Sequence, residues 1–124
     1  DDLKTAEEFY TEVEKNVSGE LKAEAVYYSA YFKNQKKKYT ASNTVVQTLI
    51  ADYASYKYWG VKSYVIMAKN YYALKDAYQA TYILENIIKN FKQYDDVMLE
   101  AQKALTSIKE NEAKTNESVT PNNN

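Results

Sequence analysis

The sequence predicts an all-α chain of stacked helical hairpins, and three observations favour this fold class. Only two glycines and one proline occur in 124 residues, which leaves few residues for the tight turns of a β-rich fold. Apolar residues recur at helical spacing along most of the chain. A shift of 38 residues superposes one pair of these helical stretches on the next pair, so the hairpins are expected to be copies of one unit.

The first element is expected within residues 1–19. Leu3, Ala6, Tyr10 and Val13 lie on one face of a helix that ends near the sequence NVSGE. We interpret this helix as the remnant of a preceding repeat, and the chain as a fragment of a larger protein.

Two helical repeats are expected in residues 20–54 and 55–92, each made of two antiparallel helices. Asp76 is placed to cap the second helix of the second repeat. The four predicted apolar stripes are Ala23, Val26, Tyr27, Ala30 and Tyr31; Tyr39, Ser42, Val46, Leu49, Ile50 and Tyr53; Val61, Tyr64, Val65, Ala68, Tyr71 and Tyr72; and Ala77, Ala80, Leu84, Ile87, Ile88 and Phe91.

Each repeat also carries two small residues twelve positions apart. Ala30 is paired in this way with Ser42, and Ala68 with Ala80. Small side chains allow two helix axes to approach to about 8–10 Å. We therefore expect the helices of each hairpin to meet at these positions, with the large aromatic rings filling the space around the contact.

The last helix is expected in residues 93–113, followed by a disordered tail in residues 114–124. Asp95 and Asp96 are favourable at a helix N-terminus. The tail has almost nothing to bury. A polar outer face makes the helix suitable as a C-terminal cap, and its inward residues are predicted to be Val97, Ala101, Ala104, Leu105 and Ile108.

The composition excludes most familiar catalytic chemistry. The chain contains no cysteine, histidine or arginine, which removes thiolate nucleophiles, imidazole bases and the common zinc sites. Tyr58 with Lys62, and Tyr71 with Lys75, have Tyr-x-x-x-Lys spacing, which we interpret as a lysine stem lying over a packed ring. We expect a protein that is not an enzyme and needs no cofactor or metal. No apolar run of about 18 residues occurs, so membrane insertion is not expected.

Charge is unevenly distributed along the chain. Residues 1–20 hold seven acidic residues and two lysines, residues 21–92 hold eleven lysines and four acidic residues, and residues 93–124 hold six acidic residues and three lysines. The basic middle section is either a solvated exterior or a surface for an acidic partner. Nucleic acid is not expected, because arginine is absent and the aromatic residues belong to helical stripes.

The repeats resemble those of the tetratricopeptide-repeat (TPR) family. The resemblance covers residues 23–91 and is carried by the small residues Ala30, Ser42, Ala68 and Ala80 and by the aromatic residues around them. Lys37 and Lys75 stand where the family usually has glycine, and the period of 38 exceeds the family's usual ~34. Such longer repeats are similar to those of bacterial cell-envelope proteins, which points to the cell envelope or periplasm.

This resemblance implies an α-solenoid of stacked antiparallel hairpins with a C-terminal capping helix. It further implies a non-catalytic scaffold that binds a peptide or partner protein, of acidic character given the lysines, on its concave face. The alternative is a purely structural cap of a longer superhelix. The residues that the resemblance places on the concave face are Glu24, Tyr27, Tyr31, Asn34, Lys62, Lys69 and Tyr72. For Tyr27, Tyr31 and Tyr72, packing in the core remains an alternative.

Overall fold

The computed structural model describes residues 2–119, with side chains described as far as residue 116. This part of the chain is all-helical and contains no strand, which confirms the predicted all-α class. The six helices are α1 (Asp2–Asn16), α2 (Gly19–Gln35), α3 (Tyr39–Asp52), α4 (Lys57–Ala73), α5 (Ala77–Asn90) and α6 (Asp95–Val119).

The helices pack in chain order and form two layers. Each helix contacts the next one along the chain, and α2 also contacts α4, while α4 also contacts α6. One layer therefore contains α2, α4 and α6, and the other contains α3 and α5. Within residues 2–119, α1 packs on α2 alone, and none of its residues is buried.

The period of 38 residues seen in the sequence is also the period of the structure. The first helices of successive units begin at Gly19, Lys57 and Asp95, and the second helices begin at Tyr39 and Ala77. Positions related by this shift are buried together. The pairs are Ala23 and Val61, Ala25 and Ser63, Tyr27 and Val65, Ala30 and Ala68, Phe32 and Asn70, Ser42 and Ala80, Val46 and Leu84, and Leu49 and Ile87.

The small residues lie where paired helices meet. Ala30 and Ser42 are completely buried, and the Ser42 hydroxyl donates a 2.7 Å hydrogen bond to the Ala30 carbonyl. Ala68 and Ala80 are also completely buried in the second hairpin. The helices of each hairpin can therefore approach closely at these positions, and large aliphatic side chains complete the core on either side.

Both hairpins turn through a lysine in the left-handed backbone region. Lys37 has φ 64° and Lys75 has φ 72°. The amides of Lys37 and Lys38 bond back to the carbonyls of Asn34 and Lys33, the double hydrogen bond of a Schellman motif, and the second turn repeats this pattern. After the second turn, Asp76 accepts a hydrogen bond from the Gln79 amide, which confirms the predicted cap.

The last helix is longer than predicted. The sequence predicts disorder from residue 114, whereas α6 continues to Val119. The reason is that no glycine or proline interrupts the segment before Pro121, and Thr115 donates a side-chain hydrogen bond to the carbonyl of Asn111 within the helix. The remaining predicted tail, residues 120–124, lies outside the described residues. None of the helices within residues 2–119 combines the length and apolar character needed to cross a bilayer.

The turn geometry predicts that glycine stabilises the fold at two positions. Left-handed backbone costs a non-glycine residue about 1–2 kcal/mol, and the greater entropy of glycine in the unfolded chain offsets part of the gain. We expect Lys37→Gly and Lys75→Gly each to raise the free energy of unfolding by about 0.5–1 kcal/mol in urea titrations. Lys36→Gly is the control, since Lys36 has φ −87° and should gain nothing. Equal effects at all three positions would contradict the left-handed assignment.

Candidate functional site on the α2, α4 and α6 face

The seven residues predicted to bind a partner lie on two adjacent helices. Four belong to α2 and three to α4, and these helices pack side by side in one layer with α6. The structure divides them among an aromatic core, a buried hydrogen-bond network, an ion-pair cluster and a groove.

Tyr27 packs in the core and does not line an open groove. Its side chain is only 4% exposed and lies between the rings of Tyr28 and Trp59, with centroid distances of 5.0 and 5.5 Å. Burial, followed by the negative charge of Glu100, raises the pKa of the Tyr27 phenol. The ring belongs to the apolar stripe of α2, and of the two alternatives that the sequence allowed, packing is the one observed.

Aromatic packing also positions Glu24 and Tyr31. Tyr10 of α1 stacks on Tyr28 at 4.3 Å and donates a 3.3 Å hydrogen bond to Glu24, so this carboxylate holds α1 against α2. Tyr31 is half-buried, with its ring edge-on to Tyr28 and Phe32. The stacked rings of Tyr10 and Tyr28 therefore join α1 to α2.

Asn34 takes part in a hydrogen-bond network around the completely buried Asn70. The Asn34 amide donates to Asn70 Oδ1 at 2.8 Å, and Asn70 Nδ2 donates at 2.8 Å to both Ser42 Oγ and Asn43 Oδ1. Together with the bond from Ser42 to the Ala30 carbonyl, these contacts connect α2, α3 and α4. The half-buried Asn34 side chain, predicted to bind a partner, thus joins α2 to α4 in the structure.

Lys62 is enclosed by groups from all three helices of the face. Its ammonium lies 4.0 Å from Asp96 Oδ2 and 3.9 Å from Glu100 Oε1, both on α6, and its side chain is 19% exposed. It also lies over the rings of Tyr27 and Tyr58, at 5.6 and 6.0 Å. Lys62 therefore lies over the ring of Tyr58, and the part of its side chain found there is the ammonium group instead of the predicted stem. In the structure α6 supplies two carboxylates to Lys62, which was predicted to receive an acidic ligand, so its ammonium is already paired within the protein.

Tyr58 completes this ion-pair cluster. Its hydroxyl donates a 2.5 Å hydrogen bond to Asp96 Oδ2. That bond is the main cause that lowers the pKa of Asp96, with a smaller contribution from the charge of Lys62. Burial and the same hydrogen bond raise the pKa of Tyr58 to about 12. Glu100 Oε1 is buried without a hydrogen-bond donor, so Lys62 compensates its charge through space.

The remaining two predicted residues, Lys69 and Tyr72, lie in a groove between α4 and α6. The groove has a volume of about 420 Å³. None of its residues comes from α5, so it opens on the side away from the second layer. Its lining residues are Lys69, Tyr72, Glu100, Lys103, Ala104, Ser107, Ile108 and Asn111.

A larger groove of about 700 Å³ runs along α1, but it is a weaker candidate. Apart from Lys36, all of its lining residues come from α1 alone. It therefore has one wall and is an open helix surface, whereas the groove between α4 and α6 has two walls. Three carboxylates line the α1 groove, yet no group of acidic residues in the described part of the chain is arranged to hold a metal ion.

Sequence reasoning missed the contribution of α6 to this face. The sequence pattern assigns α6 only the role of a capping helix, which leaves Asp96, Glu100 and Lys103 out of the predicted site. The period of 38 could have identified them, because one further shift from Lys57 leads to Asp95. This shift makes α6 equivalent to α2 and α4, the first helices of the two repeats. A helix in that position packs beside α4 and adds its side chains to the same face.

Comparisons of the chain with known protein families, with curated proteins and with solved structures each give no match. The functional interpretation therefore depends on the chain's own residues and their geometry.

The hydrogen-bond network around Asn70 predicts that truncating this side chain lowers the stability of the fold. Asn70→Ala removes the central member and leaves the buried Ser42 and Asn43 side chains with fewer partners, so we expect a loss of about 1–3 kcal/mol in the free energy of unfolding. Asn86→Ala, at an exposed position of α5, is the matched control and should change stability by less than about 0.5 kcal/mol. Similar effects of the two variants in urea titrations would contradict the network.

The tyrosine–aspartate bond predicts a specific pH dependence. The pKa of Tyr58 is about 12 in the folded state, compared with 10.0 for an ordinary tyrosine. The stabilisation that comes from this raised pKa is therefore complete below pH 10 and is lost between pH 10 and 12. Tyr58→Phe should therefore lose less stability than the wild type over that range. Because Asp96 loses its donor, its pKa should also rise towards the ordinary value of 3.8.

Urea unfolding at several alkaline pH values and NMR titration of the Asp96 carboxyl group measure these two effects. Tyr78→Phe removes an exposed hydroxyl on α5 and serves as the control. An unchanged Asp96 titration in Tyr58→Phe would show that the hydrogen bond does not form.

Proposed function

We propose that the chain is a non-catalytic protein-binding module, a TPR-like α-solenoid that holds an extended acidic peptide segment in the groove between α4 and α6. The proposed architecture is supported by the period of 38 residues, the helix order and the small residues that meet in each hairpin. Repeat stacks of this kind bind partners along an extended face.

The observation that carries the proposal is the chemistry of the groove. Tyr72, Ala104 and Ile108 supply apolar surface, whereas Lys69 and Lys103 bring positive charge from opposite walls. The carboxylate that also lines the groove, that of Glu100, is paired with Lys62. Ser107 and Asn111 provide hydrogen-bonding groups next to them. An apolar groove with a few placed polar and charged groups is suited to a peptide that carries both apolar and acidic side chains.

Tyr72 is fixed in position before any ligand binds. Its hydroxyl donates a 3.1 Å hydrogen bond to Glu112, which connects α4 to α6 across the groove. Burial, and then this hydrogen bond, raise the pKa of Tyr72, so the phenol remains protonated and can keep donating. A ring held in place loses little conformational entropy on binding, which favours affinity.

The lysines of the groove would set orientation more than affinity. Exposed ion pairs contribute about 0.2–1 kcal/mol each and are screened by salt. Lys62 cannot serve in this role, because it is already paired with Asp96 and Glu100. The proposed binding residues are accordingly Lys69, Tyr72 and Lys103.

The second candidate function is that of a structural terminal module in a longer repeat stack. The specific observation in its favour is that the half of the face formed by α2 and α4 is filled by Tyr27, Trp59 and Lys62. The exposed face of α6 carries Gln102, Lys103 and Thr106 beside one exposed apolar residue, Leu99, so it is mainly polar, as a capping helix requires. In this case the groove is ordinary surface and binds no peptide.

Peptide display against the chain distinguishes these functions. We expect selected peptides to be rich in Asp and Glu, and the double variant Lys69→Glu with Lys103→Glu to weaken binding of a selected peptide about tenfold or more at low salt. The matched control, Lys57→Glu with Lys92→Glu, makes the same charge change at exposed positions outside the groove. NMR shift mapping should place the peptide against Tyr72 and Ile108.

Two results would overturn the peptide-binding proposal. One is that display selects no peptide above background. The other is that selected peptides bind both double variants equally and perturb no residue of the groove. Either result makes the structural terminal module the better function.

A further inference from the structure

One edge of the molecule carries a group of exposed residues that the groove does not use. The turns from α2 to α3 and from α4 to α5 are related by the period of 38, and they lie side by side. The evidence is the 2.8 Å hydrogen bond between Asn34 and Asn70, which are close to the ends of α2 and α4. We call this edge the lysine edge; its members are Lys37, Lys38, Leu74, Lys75, Tyr78 and Tyr82.

The lysine edge combines exposed apolar and aromatic surface with positive charge. Leu74 is 45% exposed, Tyr78 is 77% exposed and Tyr82 is 60% exposed. The two tyrosine rings are nearly parallel, with their centroids 6.4 Å apart. The equivalent positions of the first repeat are Thr40 and Thr44, so the repeat fold itself does not require tyrosine there. These rings are the tyrosines least involved in packing.

Two of the three lysines of this edge occupy positions whose backbone conformation is unfavourable for lysine. Lys37 and Lys75 both have positive φ, which glycine adopts at much lower cost. The same unfavourable choice occurs at equivalent positions of both repeats. Strained residues of this kind frequently belong to functional surfaces. Lys36 is ion-paired with Glu7, so the charge of the lysine edge comes from Lys37, Lys38 and Lys75, which are exposed and make no ion pair within the described residues.

The shape of the edge points to a flat partner. Neither the groove along α1 nor the groove between α4 and α6 includes Leu74, Lys75, Tyr78 or Tyr82. These residues project from a turn and from the start of a helix. An extended peptide needs a groove, whereas a projecting edge meets a broad surface.

We propose that the lysine edge docks the protein onto an anionic lipid bilayer. An anionic membrane surface attracts nearby lysines. Their aliphatic stems reach across the headgroup region while the ammonium groups remain hydrated. Tyrosine is enriched at the level of the headgroups, where its ring is partly apolar and its hydroxyl meets water. Leu74 enters the boundary of the acyl chains. The contact is peripheral, since no helix in the described part of the chain is long and apolar enough to cross the bilayer.

Co-sedimentation of the whole chain with vesicles tests this proposal. We expect binding to phosphatidylcholine vesicles that contain phosphatidylserine, weaker binding at high salt, and no binding to phosphatidylcholine alone. Lys37→Ser with Lys75→Ser should lower the partition constant about thirtyfold. The matched control, Lys57→Ser with Lys92→Ser, removes the same charge at the start of α4 and in the α5–α6 turn, at the opposite edge, and should retain most of the binding.

A label gives an independent measurement, because the chain contains no cysteine. Leu74→Cys can carry a single environment-sensitive dye, whose emission should shift to the blue on vesicles with phosphatidylserine. The same dye on Lys57→Cys should not shift. Circular dichroism of every variant checks that the helices are retained.

Three results would overturn the proposal. The first is that the wild type does not sediment with anionic vesicles, and the second is that both lysine double variants lose binding equally, which indicates diffuse attraction of the whole molecule. The third is tighter binding to poly-glutamate or to duplex DNA than to anionic vesicles at the same salt concentration. That last result would assign the lysine edge to an acidic protein or to a nucleic acid.

Discussion

The hydrogen bonds of one buried side-chain amide fix the position of the second repeat relative to the first. Asn70 is completely enclosed, and its side chain bonds to groups on both helices of the preceding repeat. Apolar contacts between α3 and α4 would tolerate small slips of one helix along the other, because dispersion has little directionality. A slip here would instead leave a buried amide and hydroxyl without partners, which is costly at low dielectric constant. The equivalent position in the first repeat is Phe32, so this interaction is specific to one junction.

The alignment of α2 with α4 determines what the rest of the face can do. It brings Tyr27 and Tyr28 beside Trp59 and places Lys62 over aromatic rings. The acidic residues of α6 then complete the ion-pair cluster, and Tyr58 connects it to the start of that helix. In the α2 half of the face, the charged and aromatic side chains thus contact one another within the protein. Between α4 and α6 this face keeps a two-walled groove, and this division confines the candidate binding site to the α4–α6 half of the face.

Much of the fold could be predicted, because helical periodicity and the shift of 38 are local properties of the sequence. Positions such as Ala30 and Ser42 follow from the same pattern. The candidate site could be predicted only in part. Periodicity tells which side of a helix is apolar, but it does not tell which neighbour approaches the flank of that side. For Tyr27 the flank is covered by Trp59, and for Lys62 it is covered by α6. Lys69 and Tyr72 lie further along α4, where α6 leaves a gap.

The order in which the helices contact one another also affects how the chain folds and opens. Among residues 2–119, every helix–helix contact joins elements that are neighbours, or next-but-one neighbours, along the chain. Such local topology gives a low contact order, which is associated with fast folding. Cooperativity passes from each helix to the next, so the two ends of the stack can open without the middle. In the described part of the chain, α1 has one neighbouring helix and no buried residue, so its amide protons should exchange with solvent through a separate opening of low free energy. The amide protons of α4, which contacts four other helices, should exchange only when the whole domain unfolds.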